Sequence, residues 1–208
     1  MKILRNFAVF EGCDGSGTTT QMGLLRKRLQ ARSSPPFFLT SEPTDGPIGR
    51  LIRSALGGDA GLAPETVARL FAADRGEHLF ASGGIAERAG RGELVVSDRY
   101  VPSSLVYQGL ACGGDLPRIL NEDFPAPELI VFFDLESETA LERMKNREKR
   151  EIYEYPEFQA RVGESYRRIL PSFRDRGTLL FTVNASGSPE EVAGEVWRAL
   201  SHMPILKA

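Results

Sequence analysis

Five short runs of apolar residues divide this chain, and each is followed by polar or glycine-rich residues. The runs cover positions 7–10, 37–40, 94–97, 129–133 and 179–183. Between and after them, apolar residues recur at helical spacing over 48–56, 64–79 and 192–200. Short apolar strands that alternate with helices predict an α/β fold, with a five-stranded parallel sheet and helices on both faces in three layers.

The polar residues that follow these runs predict where a ligand binds. In chain order they are residues 11–20, Glu42, Asp98 with Arg99, Asp134, and Asn184. Ligands of parallel α/β sheets bind beyond the carboxyl ends of the strands. We therefore expect these residues to form one site along a single edge of the sheet.

The first polar stretch, EGCDGSGTTTQ, lies between the first strand and a helix-compatible segment at 19–30. Its three glycines, Gly12, Gly15 and Gly17, tolerate positive φ, so successive N–H groups can turn toward an anion. The N-terminus of the following helix adds partial positive charge. This order predicts a phosphate-binding loop and, with the sheet, a P-loop NTPase-type fold.

The loop departs from the P-loop pattern G-x-x-x-x-G-K-[ST] at one position. Gly12, Gly17 and Thr19 match the pattern, and Thr19 supplies the hydroxyl that would bind Mg²⁺, but Thr18 stands where lysine is expected. Taken alone, the stretch is also compatible with a tight turn between a strand and a helix. The residues predicted to bind the phosphate chain are Gly12, Cys13, Asp14, Gly15, Ser16, Gly17, Thr18, Thr19 and Thr20.

Composition narrows the class of protein. The chain has 208 residues, 41% of them hydrophobic and 26% charged, and a net charge of -2. These values predict a single domain over 1–208 with one core, and they argue against a generally basic nucleic-acid surface. No apolar run reaches the length of a membrane span, and the first residues lack a signal-peptide profile, so we expect a cytoplasmic protein without a membrane partner. Cys13 and Cys112 form no disulfide framework and lack metal-ligand spacing.

Four stretches together resemble thymidylate kinases. FEGCDGSGTTTQ resembles their P-loop, SEPTDGPIGRLIR their Glu-Pro loop, LFAADRGEH their nucleoside-stacking helix and SDRYVPSSLVYQG their Asp-Arg-Tyr segment. The resemblance runs over essentially the whole chain. It implies transfer of the γ-phosphoryl group of ATP to dTMP, with Mg²⁺, and a typically homodimeric enzyme.

Phosphoryl transfer needs two anions brought into line, water excluded, and positive charge on the moving oxygens. Arg99 is suited to hold the acceptor phosphate with two parallel hydrogen bonds, and the resemblance implies that role. The resemblance also implies that Asp98 organises Mg²⁺ and its waters. The alternative for this pair is an ordinary ion pair at a strand end.

Phe71 and Arg75 lie four residues apart, on one face of the predicted helix. A pyrimidine would stack on Phe71 while Arg75 donates to its carbonyl edge. The alternatives are a plain core phenylalanine and a solvated arginine. By resemblance, Ser104 and Gln108 bind the thymine edge, and Tyr107 closes on the sugar.

Four further residues belong to this predicted site or its edge. By resemblance, Asp14 accepts a hydrogen bond from the deoxyribose 3′-OH, although it is also suited to an Asx-type turn. Glu42 is expected near the acceptor and the waters of Mg²⁺, and Arg53 is expected to reach the pyrimidine pocket unless it faces solvent. Ser103 is interpreted as a helix N-cap.

The charged segment RMKNREKREIYE begins at Arg143 and is either a solvated helix or, as the resemblance implies, a lid over ATP spanning about 143–155. Its candidates for the charge that Thr18 lacks are Arg143, Arg147, Lys149 and Arg150, and we favour Arg147 or Arg150. If none compensates, turnover is expected to be slow. The predicted catalytic residues are Asp14, Arg99, Arg147 and Arg150.

Two other functions stay open at this point. One is another pyrimidine monophosphate kinase that prefers dUMP or dCMP, and the other is a nucleotide-binding protein that lost transfer along with the P-loop lysine. The loop at 184–188 is expected to contact adenine. Leu70, Phe80 and Ile85 are expected to supply a dimer surface.

Overall fold

The computed structural model of the protein describes residues 2–31, 35–145, 153 and 155–207. Five strands in this part of the chain form one sheet in which all neighbouring strands are parallel. They are β1 (Ile3–Gly12), β2 (Phe37–Ser41), β3 (Leu94–Asp98), β4 (Ala126–Asp134) and β5 (Leu179–Asn184), in the order β2-β3-β1-β4-β5. The predicted P-loop NTPase-type α/β fold is confirmed.

Helices connect the strands and pack around the sheet. They are α1 (Thr18–Gln30), α2 (Pro47–Leu56), α3 (Pro64–Phe80), α4 (Ile85–Gly90), α5 (Val101–Cys112), α6 (Leu116–Asn121), α7 (Ser137–Met144), α8 (Pro156–Ile169), α9 (Pro171–Arg174) and α10 (Pro189–Leu200), with a final 3₁₀ turn at Pro204–Leu206. Most of them carry proline in the first turn, where its missing N–H costs no intrahelical hydrogen bond. At α10, Ser188 and Glu191 add a reciprocal capping box.

The central strands are covered on both faces. In β4 every residue from Ala126 to Phe133 is buried, and successive side chains of a strand point to opposite faces. Phe7 packs edge-on against Tyr100 at 5.1 Å between ring centroids, and Phe10 packs against Phe133 at 5.2 Å. The hydrophobic burial that stabilises the sheet therefore lies directly beneath the strand ends that carry the polar residues.

The strand register brings those ends together. Asp98 of β3 lies opposite Phe10 of β1 and opposite Ser41 of β2, and Gly12 lies opposite Phe133 of β4. The predicted common edge is therefore formed, with the glycine loop at its centre.

Two surface features bear on association. Phe80 is 63% exposed at the end of α3, where its ring stacks on that of Phe124 at 6.3 Å. Ile85 is fully buried, so its expected place on a dimer surface is wrong. Among the described helices, none combines the length and the apolar character that a membrane crossing requires.

Candidate active site

The glycine loop between β1 and α1 turns at two glycines with left-handed backbone. Gly15 and Gly17 have φ of +82° and +93°, a region that residues with a Cβ rarely adopt. Gly12 leaves space instead: a Cβ there would lie 2.5 Å from Ser16 Oγ and 3.1 Å from the carbonyl oxygen of Phe133, so a side chain would require these neighbours to shift. The loop and the first residues of α1 border a cavity of about 530 Å³, which we call the loop cavity. All the predicted phosphate-binding residues from Cys13 to Thr20 line it, directly after Gly12.

A second cavity of about 250 Å³ lies beside the first and contains several aromatic rings, so we call it the aromatic cavity. Every residue predicted for the acceptor nucleotide lines it: Asp14, Glu42, Arg53, Phe71, Arg75, Arg99, Ser104, Tyr107 and Gln108. Tyr100 and Tyr153 complete the aromatic wall. The structure thus brings together residues from five separate stretches of sequence.

The two cavities meet at three side chains. Asp14, Asp98 and Arg99 line both of them. A ligand in the loop cavity and a ligand in the aromatic cavity would therefore share one boundary, made of two carboxylates and one guanidinium.

Arg99 spans this boundary from a strained backbone position. Its φ is +71°, which is unusual for a residue with a long side chain. The guanidinium donates to Asp14 Oδ1 at 2.5 Å, to the carbonyl of Gly12 at 3.2 Å and to Ser103 Oγ at 3.3 Å. It also lies 5.0 Å from the centre of the Tyr107 ring. Arg99 thus pairs with the loop carboxylate rather than with its neighbour Asp98.

Asp14 is held from three sides. Besides Arg99, it accepts at Oδ2 from the Tyr107 hydroxyl at 3.1 Å and from Gln159 Nε2 at 2.9 Å. Gln159 is fully buried in α8 and also donates to the carbonyl of Tyr153 at 3.0 Å. Sequence reasoning missed Gln159, because nothing around it marks a residue that contacts a loop 145 positions away.

Asp98 and Thr19 provide oxygen atoms that fit a divalent cation. Asp98 Oδ2 accepts from Thr19 Oγ1 at 3.1 Å, whereas Oδ1 is buried without a hydrogen-bond partner. Burial raises the pKa of Asp98, and the nearby Arg99 partly opposes that shift. In the described part of the chain, no group of three His, Cys, Asp or Glu side chains is arranged to hold a metal. Mg²⁺ commonly binds through one or two protein ligands together with phosphates and waters, which matches this set.

The sequence analysis interpreted Ser103 as the N-cap of α5, and the structure shows that this interpretation is wrong. The N-cap position is Tyr100, and no side chain caps that end. Ser103 Oγ instead accepts from Arg99 and donates to Glu11 Oε2 at 2.6 Å. Glu11 is fully buried and also accepts from the Tyr100 N–H and the Tyr166 hydroxyl, both at 2.9 Å. This buried cluster lies behind Arg99 and fixes the base of the site.

Replacing Glu11 with glutamine is expected to change how stability depends on pH. Burial raises the pKa of Glu11 from 4.5 to about 7, although Ser103, Arg99 and Tyr166 favour the charged form. A carboxyl with a higher pKa in the folded state contributes stability below pH 4.5 that is lost as the pH rises to 7. Between these values the free energy of unfolding should therefore fall by on the order of 3 kcal/mol relative to the Glu11→Gln variant. Urea denaturation of both proteins across this range checks the prediction, and a difference that does not vary with pH would contradict it.

Arg75 is buried rather than solvated, with 1% of its surface exposed. Its guanidinium binds Glu42 Oε2 through Nε at 2.9 Å and Nη2 at 2.8 Å. It also donates to Ser104 Oγ at 3.0 Å and to Asn121 Oδ1. Three hydrogen bonds and one further ion contact thus engage the guanidinium in the described structure, and its five N–H groups leave donor capacity for a ligand in the aromatic cavity.

Glu42 holds Arg75 in place. Its second oxygen, Oε1, pairs with His78 Nδ1 at 3.2 Å, and His78 Nε2 lies 2.7 Å from Thr40 Oγ1. Both oxygens of Glu42 are therefore engaged within the protein, whereas we expected this residue near the waters of Mg²⁺. His78 lies in the stretch LFAADRGEH, one turn after Arg75, so its position on the same helix face was available as a signal.

Arg53 and Phe71 also line the aromatic cavity. Arg53 donates to the carbonyl of Pro43 at 2.7 Å and pairs with Asp45 at 3.3 Å, so it ties α2 to the loop after β2. Its side chain is 43% exposed. Phe71 is partly buried against the core.

The predicted lid lies largely outside the described residues, and Arg147, Lys149 and Arg150 are among those not described. At its start, Arg143 lines the loop cavity. Near its end, the Tyr153 ring stacks on Phe158 at 4.9 Å and lines the aromatic cavity. From the loop expected to contact adenine, Ala185 and Gly187 line the loop cavity.

Comparison with known proteins connects this geometry to a family. The sequence model described as thymidylate kinase matches residues 10–196. A putative thymidylate kinase of Treponema pallidum is 45% identical over 175 residues, which cover 84% of this chain and 83% of that protein. A putative thymidylate kinase of Aeropyrum pernix is 41% identical over 194 residues, 89% and 91% of the two chains. A probable thymidylate kinase of Methanococcus vannielii is 42% identical over 199 residues, 93% and 94% of the two chains.

Proposed function

The chain belongs to the thymidylate kinase family, and from that premise we propose that it transfers the γ-phosphoryl group of Mg-ATP to dTMP, giving dTDP. Phosphorylation of dTMP follows from the family. ATP as the donor, Mg²⁺ as the metal and the role of each side chain belong to the proposal.

The observation that carries the proposal is the shared boundary of the two cavities. Asp14, Asp98 and Arg99 line both the glycine loop's cavity and the aromatic one. A protein that only bound ATP would not need a second cavity with a stacking ring and buried polar groups. This arrangement favours a transferase over a catalytically silent nucleotide-binding protein.

Each group has a chemical task at that boundary. The loop N–H groups and the N-terminus of α1 would hold the donor phosphates, while Thr19 and Asp98 would hold Mg²⁺, which supplies positive charge to the phosphates when bound. Arg99 would hold the acceptor phosphate and reduce its repulsion with the donor. Asp14 would accept from the 3′-OH, and Tyr107 would pack on the sugar.

The thymine ring would occupy the inner part of the aromatic cavity. Phe71 would stack on its face, with Arg75, Ser104 and Gln108 at its polar edge. Ser104 and Gln108 are each 2% exposed, so a base that left their polar atoms without partners would bind less well. Glu42 would act through Arg75, and Arg53 through the loop after β2.

A coupled assay of ADP formation with a panel of nucleoside monophosphates tests the proposal. We expect turnover with dTMP and Mg-ATP, lower kcat/KM with dUMP and dCMP, and loss of turnover on chelation of the metal. A preference for dUMP or dCMP would support the rival kinase. Binding of both nucleotides without turnover would support the silent protein.

Organisation of the whole chain is part of the same proposal. We propose one domain over 1–208 with a lid at about 143–155, acting as a cytoplasmic homodimer without nucleic-acid or membrane partners. The exposed ring of Phe80 on α3 supports an association surface there. Sedimentation of the protein would test the dimer, and a monomer at all concentrations would contradict it.

A further inference from the structure

The loop cavity has few positive charges for a site that would bind a triphosphate. Thr18 occupies the lysine position of the P-loop pattern, so the loop offers hydroxyl and N–H groups but no ammonium. Among the described residues that line the cavity, two carry a cationic side chain, Arg99 and Arg143. The cation that stands in for the lysine should therefore be sought first between these two.

Arg99 is already engaged at the boundary of the two cavities. Its guanidinium donates to Asp14, to the carbonyl of Gly12 and to Ser103. Arg167, the next arginine near the loop, is held by Asp134 at 2.8 Å and Glu136 at 3.6 Å. Arg143, in contrast, has no ion pair or hydrogen bond with any residue of the described ranges.

The helix that carries Arg143 is fixed against the glycine loop. A Cβ added to Gly15 would lie 2.6 Å from the carbonyl oxygen of Ala140 and 3.1 Å from Met144 Cγ, so α7 and the loop are in direct contact there. Ala140 and Met144 are both buried in this contact. Arg143 lies in the same turn as Met144 and is exposed. Within the described ranges no partner holds its side chain away from the loop cavity, which it lines from a fixed helix.

We propose that Arg143 is a catalytic residue that binds the β- and γ-phosphates of the donor and supplies the charge that Thr18 lacks. This inference rests on the proposed function and differs from our expectation that Arg147 or Arg150 compensates. In the step concerned, an oxygen of the dTMP phosphate forms a bond to the γ-phosphorus. The bond from that phosphorus to the β,γ-bridging oxygen breaks, and its electron pair leaves with ADP. Arg143 would stabilise the charge that develops on the bridging and γ-oxygens.

Arg143→Gln is expected to lower kcat with ATP and dTMP about a hundredfold. It should also weaken Mg-ATP binding about tenfold while changing Mg-ADP binding less, because the lost contact reaches the γ-phosphate. Arg143→Lys should retain most of the activity, since the charge is kept. Arg118→Gln is the matched control: its guanidinium pairs with Asp115 at 3.3 Å on the surface, it does not line the loop cavity, and its loss should change kcat no more than about twofold.

Restoring the lysine supplies the decisive comparison. Thr18→Lys in the Arg143→Gln background should recover at least about tenfold in kcat, whereas in the wild-type background it should have little effect. The inference is overturned if Arg143→Gln matches Arg118→Gln in both kcat and Mg-ATP affinity, or if a folded double variant shows no recovery. If the wild-type protein does not phosphorylate any monophosphate, the proposed function fails, and the ATP and ADP affinities of the Arg143 variants still decide whether this residue contacts the γ-phosphate.

Discussion

Replacing Arg99 with alanine is expected to lower kcat/KM for dTMP about a thousandfold, and lysine at this position should recover only a small part of the loss. An arginine that contacts both phosphates in transfer is typically worth at least this factor. Lysine keeps the charge but presents no planar pair of donors, so it cannot bind Asp14 and a phosphate with the same geometry. Steady-state kinetics with Mg-ATP and dTMP check the prediction.

The matched control for Arg99 is Arg91, which is exposed and pairs with Glu87 at the end of α4. Arg91→Ala and Arg91→Lys should leave kcat/KM within about twofold of the wild type, because exposed ion pairs contribute little. Thermal unfolding separates lost chemistry from lost structure, since Arg99 occupies a left-handed backbone position that alanine also tolerates poorly. If Arg99→Lys turned over like Arg91→Lys, the proposed role of the guanidinium would be wrong.

The sheet and the location of the site were predictable because both depend on local patterns. The apolar runs mark strands buried on two faces, and parallel strands necessarily end at a common edge. The short helices α4 and α6 were not predicted, and neither were α8 and α9. Of these, α4 lies among glycines, and α6 is six residues long, too short for a hydrophobic period to be recognised.

The partners of the charged residues were not predictable from the sequence. Arg75 contacts Glu42 and Asn121, which lie 33 and 46 residues away, and Glu11 contacts Tyr166 across 155 residues. Such pairs are created by the fold, and no spacing rule along the chain identifies them. The same reason explains the error at Ser103, whose local setting is that of a helix cap while its hydroxyl is directed to a buried carboxylate.

Replacing Arg75 with methionine is expected to lower the free energy of unfolding by about 3–5 kcal/mol, because it leaves a buried carboxylate without its cation. Glu42 is 4% exposed and would retain one ring nitrogen of His78 as its partner. Adding Glu42→Met to the same chain should recover much of this loss, since well-packed apolar groups can replace a buried pair at little cost.

Urea denaturation of the single and double variants measures these differences, with Arg118→Met as the control. Arg118 and Asp115 form a pair in which both side chains are more than half exposed, so its removal should cost well under about 1 kcal/mol. The double variant of Arg75→Met and Glu42→Met then separates an effect on folding from an effect on ligand binding. It should still bind Mg-ATP. It should bind dTMP at least about tenfold more weakly, because the aromatic cavity has lost the N–H donors of the Arg75 guanidinium. Equal destabilisation by Arg75→Met and Arg118→Met would mean that the buried pair does not stabilise the fold. Unchanged dTMP affinity in the double variant would remove Arg75 from the acceptor site.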